Sequence, residues 1–115
     1  MRISSVTVGL SVSDLVAARC WYESVLDVDG PQLDPVEGIV EYDLGGCWLQ
    51  LGEEAPTGSA TAVLRLGVDD VHAERARLVE LGLELPEVVH VPGVLDVVDF
   101  PDPDGNHLSL YTLVD

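Results

Sequence analysis

The stretch Phe100-Pro101-Asp102-Pro103-Asp104-Gly105-Asn106, followed by His107-Leu108-Ser109-Leu110-Tyr111, decides how the rest of the chain is read. Two prolines fix φ, two aspartates can close side-chain turns, and Gly105 can take the positive φ of a bulged hairpin. The run that follows alternates in polarity, the period of a strand with one packed face. Working outward, a shift of 59 residues sets Gly46, Leu49 and Leu51 on Gly105, Leu108 and Leu110. A shift of 56 sets Leu10-Ser11-Val12-Ser13-Asp14-Leu15 on Leu66-Gly67-Val68-Asp69-Asp70-Val71, and Arg19 on Arg75. The chain reads as two copies of one supersecondary unit.

Each copy opens on strict alternation. Val6, Val8, Leu10 and Val12 share one face of a first strand, as do Ala62, Leu64, Leu66 and Val68 in the second copy. Ser13 or Asp14, and Asp69 or Asp70, stand where an N-cap belongs. Helices are expected over 14–28 and 70–81. Leu15, Ala18, Trp21 or Tyr22, and Val25 recur at helical spacing in the first, and Val71, Ala76, Leu78 and Leu81 in the second, which Gly82 stops. Three strands complete each copy, over 32–34, 39–44 and 47–51, then 84–91, 94–100 and 107–113. The expected partition is one domain of two modules, 1–52 and 61–115, joined by a polar linker at 53–60.

Composition narrows the class. A chain of 115 residues holds one ordinary core. It is 47% hydrophobic with a mean hydropathy of +0.26, which excludes disorder, yet no apolar run approaches the ~20 residues of a membrane helix. No secretion signal is recognisable at the start, so a soluble, cytoplasmic protein is expected. Cys20 and Cys47 show neither zinc nor redox spacing and read as small buried apolar groups. Twenty-one acids against five arginines and no lysine give a net charge of −16, which repels nucleic acid and anionic lipid. A strong negative field favours cationic ligands or simply keeps the surface solvated.

Strand parity identifies a second sheet face. Leu108 and Leu110 must pack under a helix, which turns His107, Ser109 and Tyr111 the other way; packing of Leu49 and Leu51 likewise leaves Trp48 and Gln50 opposite. Thr7, Gly9, Arg65 and Gly67 join them from the first strands. Such a mixture suits a small-molecule pocket, with aromatic walls for burial and a few polar groups for orientation. Arg65 could hold a ligand carboxylate or phosphate, or pair with Glu41 or Asp96. Trp48 and Tyr111 could stack on a planar ligand or pack in an interface. Glu41 and Asp43 share a strand face as a carboxylate pair or as edge-strand acids. His72 reads as solvated, and His90 as near a strand end. No nucleophile triad, phosphate loop or dinucleotide fingerprint is present.

The duplicated βαβββ unit, the Asp-capped helix with Trp21-Tyr22 and Val25-Leu26, and the Asp102-Pro103-Asp104-Gly105-Asn106 turn resemble the vicinal oxygen chelate superfamily of glyoxalases, bleomycin-resistance proteins and extradiol dioxygenases. The resemblance implies an α+β fold with sheets curved around a cavity and helices outside. In metal-dependent members four side chains hold a divalent ion, and the matching positions here are Thr7, Val63, Gln50 and Ser109. Valine has no donor, and neutral hydroxyls and an amide are poor ligands beside imidazole or carboxylate. The resemblance therefore implies a metal-independent binding protein that sequesters an aromatic or cationic compound, without catalytic residue, cofactor or metal. The expected ligand-binding residues are Thr7, Glu41, Trp48, Gln50, Arg65, His107, Ser109 and Tyr111, and the expected assembly is a homodimer. The alternative is a lyase, epimerase or dioxygenase using displaced ligands such as His107 and Glu41.

Overall fold

The computed structural model describes residues 1–54 and 63–114. It is an α+β structure of two βαβββ units, Met1–Ser59 and Ala60–Asp115. The first runs β1 (Thr7–Val12), α1 (Leu15–Leu26), β2 (Leu33–Val36), β3 (Ile39–Asp43) and β4 (Trp48–Glu53). The second repeats the order with β5 (Val63–Gly67), α2 (Val71–Glu80), β6 (Val89–Val91), β7 (Leu95–Pro101) and β8 (His107–Leu113). The sheets are ordered β1-β4-β3-β2 and β5-β8-β7-β6. In both, the first strand pairs parallel with the last, and the helix is the crossover that such pairing demands.

Apolar side chains make each unit two-layered. In the first, Leu10 and Val12 of β1, Val40 and Tyr42 of β3, and Leu49 and Leu51 of β4 bury one sheet face under Ala18, Tyr22 and Val25 of α1. In the second, Leu64, Val98, Phe100, Leu108 and Leu110 do so under Val71 and Leu78 of α2. Asp14 and Asp70 are the N-caps, accepting from the Ala17 and Ala73 amides at 3.1 Å each. The last strand also holds the helix start. Glu53 accepts from the Leu15 amide at 3.1 Å, and the Thr112 hydroxyl accepts from the Val71 amide at 2.8 Å.

The closing turn is built on Asp102. Its Oδ1 accepts from the amides of Asp104 and Asn106, and its Oδ2 from Asn106 Nδ2, all at 2.8 Å, with both side chains buried. Gly105 takes φ +86°. This satisfies three donors beside β8 without a ladder partner.

Several expected boundaries move. Helix α1 stops at Leu26 because Asp27 enters the left-handed region at φ 55°, ψ 52°. Strand β2 lies over Leu33–Val36, and β4 runs on to Glu53, which pairs with Val12. The linker expected at 53–60 lies outside the described residues apart from Glu53 and Glu54, as does Ala62. Only Val89–Val91 of the strand expected over 84–91 forms. Arg75 claims the carbonyls upstream, with Nε donating to Pro86 O at 2.7 Å and Nη2 to Leu85 O at 3.2 Å, so they bond to a guanidinium instead of a strand. Ala76 and Leu81 are exposed, because the buried stripe of α2 is Val71 and Leu78. Val6 precedes β1 and is also exposed. Cys20, expected inside, is exposed between the core positions Ala18 and Tyr22, and Cys47 is half-buried; both are free thiols.

Candidate functional site

The face of each sheet away from its helix carries the candidate residues in rows set by register. In the first unit Thr7, Trp48 and Asp43 form one row, and Gly9, Gln50 and Glu41 the next. Gln50 Nε2 donates to Glu41 Oε2 at 3.0 Å, so the two are brought together. Asp43 closes a local turn instead, its Oδ1 accepting from the Gly45 amide at 2.9 Å. Trp48, Gln50 and Glu41 are half-buried and Thr7 is exposed.

In the second unit Val63, His107 and Pro101 form one row, Arg65, Ser109 and Asp99 the next, and Gly67, Tyr111 and Val97 the third. Arg65 Nη1 donates to Ser109 Oγ at 3.4 Å. Ser109 is fully buried, whereas Arg65 and His107 are exposed. Tyr111 lies against Gly67: a Cβ there would come within 3.2 Å of its Cζ and Oη. The absence of a side chain at Gly67 therefore makes room for the ring.

One expected alternative is overturned. Asp96 does not meet Arg65, because Val98 and Phe100 point to the helix and so, by strand period, does Asp96. There it joins two histidines, with His90 Nδ1 2.6 Å from Oδ1 and His72 Nε2 3.4 Å from Oδ2. His72 thus has a partner as well as solvent. The hydrogen bond from His90, with His72 adding to it, holds the Asp96 carboxyl below its ordinary value of 3.8. Sequence reasoning missed this trio, although the parity of β7 was the signal that could have found it.

No protein-family profile matches the chain, and no curated protein matches it by sequence. Solved structures do. A glyoxalase/bleomycin resistance protein from Catenulispora acidiphila superposes with a TM-score of 0.80 at 27% identity, covering 96% of this chain and 98% of that one. TnmS3, an antibiotic binding protein from Streptomyces sp. CB03234, superposes with a TM-score of 0.81 at 28% identity, covering 99% of each. The chain shares the fold of these glyoxalase/bleomycin resistance-type structures, which is the fold of the vicinal oxygen chelate superfamily. Lactoylglutathione lyase from Agrobacterium tumefaciens shares the superfamily fold, with a TM-score of 0.76 at 21% identity over 96% of this chain and 95% of that one.

The divalent metal associated with superfamily enzymes does not fit the residues present. Val63 offers no donor atom, Thr7 only a hydroxyl, and the Gln50 amide is bonded to Glu41. At the fourth position Ser109 Oγ already faces a cation, the Arg65 guanidinium. Among the described residues no three His, Cys, Asp or Glu side chains gather as a group able to hold a metal ion.

Proposed function

We propose that this chain is a metal-independent small-molecule-binding protein that sequesters an aromatic compound, in the manner of an antibiotic-resistance protein. What carries the reading is that the positions the resemblance assigns to metal ligands hold Thr7, Val63, Gln50 and Ser109, on sheet faces that carry aromatic side chains. Trp48 in the first unit and Tyr111 in the second are half-buried, which leaves ring surface for a ligand to cover. On the first face Thr7, Glu41 and Gln50 would supply the polar contacts, and on the second Arg65 and His107, with Ser109 behind the guanidinium. The antibiotic-binding relative from Streptomyces, similar over the full length, supports the same class.

An aromatic ligand is favoured because Trp48 and Tyr111 each present a half-buried ring on the face away from the helix. We further propose a homodimer, in which sheet edges are covered. Native mass spectrometry of protein taken directly from cells tests these points together. The expected spectrum is a dimer without stoichiometric metal that gains the mass of an added aromatic compound and releases it chemically unchanged. Near-stoichiometric nickel, zinc, iron or manganese, lost on His107→Ala, would establish the catalytic alternative instead.

A further inference from the structure

Arginine is scarce here, five residues against 21 carboxylates. Arg19 pairs with Glu23 at 3.1 Å, Arg77 with Glu74 at 2.9 Å and Arg75 with Glu87 at 3.7 Å. Arg65 differs. It stands mid-strand on β5, and no carboxylate of the described residues in its unit pairs with it, although Asp99 shares its row one strand beyond Ser109. Among the described residues of that unit its side-chain hydrogen bond is the 3.4 Å donation to Ser109 Oγ, which steers the guanidinium while leaving most of its five N–H donors unspent. Two residues along, Gly67 clears the space that the Tyr111 ring occupies. A guanidinium and an aromatic ring therefore sit in adjacent rows of one sheet face.

We propose that Arg65, oriented by Ser109 and flanked by Tyr111, anchors the carboxylate of a small aromatic acid. The proposal rests on the small-molecule-binding reading and names the ligand class for it. A planar guanidinium offers two parallel N–H bonds that match the two oxygens of a carboxylate. The net charge of −16 does not forbid this, because physiological salt screens exposed charges beyond about 8 Å while the contact itself is direct. Tyr111 supplies the apolar wall that an aromatic acid needs beside its charged end.

The test uses the full chain after chelator treatment and three probes of one shape, 2-naphthoate, 2-naphthamide and 2-naphthylmethylamine, titrated calorimetrically. Wild-type protein is expected to bind the naphthoate about tenfold or more tightly than the naphthamide. Arg65→Met should bring the two within about twofold by weakening the acid alone, and Arg65→Lys should keep part of the preference. Thermal melts establish that the variants fold, and the wild-type comparison stands without them. Amide or amine bound as tightly as the acid, or a preference for the acid that survives Arg65→Met, overturns the anchor and leaves the binding reading intact. Failure of all three probes overturns both.

Discussion

Tyr42 shows how one buried polar group is made tolerable. Its ring lies in the core of the first unit, and its hydroxyl donates to Glu23 Oε2 at 2.8 Å, the oxygen that also pairs with Arg19. Burial, reinforced by the hydrogen bond to Glu23, pushes the phenol well above its ordinary value of 10.0. The sign follows from linkage. A folded-state value above the unfolded one contributes stability in full below about pH 10, and that contribution is lost as the pH rises toward the folded value. Tyr42→Phe removes the donor and leaves Glu23 with Arg19, so urea unfolding at pH 7 should show a loss of about 1 kcal/mol. The variant should also lose less stability above pH 10 than the wild type; an unchanged alkaline limb would count against this account. Other single residues were only half legible. Alternation placed Ser109 opposite Leu108 and Leu110, but its complete burial and its hydrogen bond from Arg65 across the strand pair are in no one-strand pattern. His72 and His90 stand apart in sequence, and Asp96 joins them only once a helix and two strands are assembled.

At the scale of elements the closing turn is the clearest case of sequence dictating structure. Asp102 satisfies the amides of Asp104 and Asn106 and the side chain of Asn106 from a buried position. Asp102→Ala would strand those donors, and each buried donor left without a partner costs about 1–3 kcal/mol. We expect urea denaturation to show at least about 2 kcal/mol lost, with Asp102→Asn recovering part through its remaining carbonyl acceptor. A loss under about 0.5 kcal/mol for Asp102→Ala would mean that the turn is held by its prolines and glycine alone. Both helix starts were readable to within one residue, as Ser13 or Asp14 and Asp69 or Asp70, and β8 was readable to the residue because the turn fixes one end and alternation fixes its length. Strand β6 was overestimated, since apolar content at 84–88 says nothing about the Arg75 guanidinium that takes its carbonyls. The reach of β4 to Glu53 was missed for a similar reason: the carboxylate looks like linker until it is seen at the N-terminus of α1.

For the molecule as a whole, duplication was legible because the repeated pattern of strand, capping aspartate and helix survives while most side chains have changed. Function was less legible. The superfamily fold is compatible with catalysis and with binding alone, so the side chains present must decide between them. Thr7, Val63, Gln50 and Ser109 could be read off the sequence as poor metal donors, whereas the engagement of Glu41 by Gln50 and of Ser109 by Arg65 needed coordinates. No helix among the described residues is long and apolar enough to cross a membrane. The claim at the centre is that ligand affinity comes from aromatic surface and fixed polar groups without a divalent ion. The most direct measurement is calorimetric titration of an aromatic ligand into chelator-treated protein, repeated with added manganese, nickel or zinc. The account predicts dissociation constants that agree within about twofold in every titration; binding that appears only when metal is restored, and disappears with His107→Ala, would contradict it.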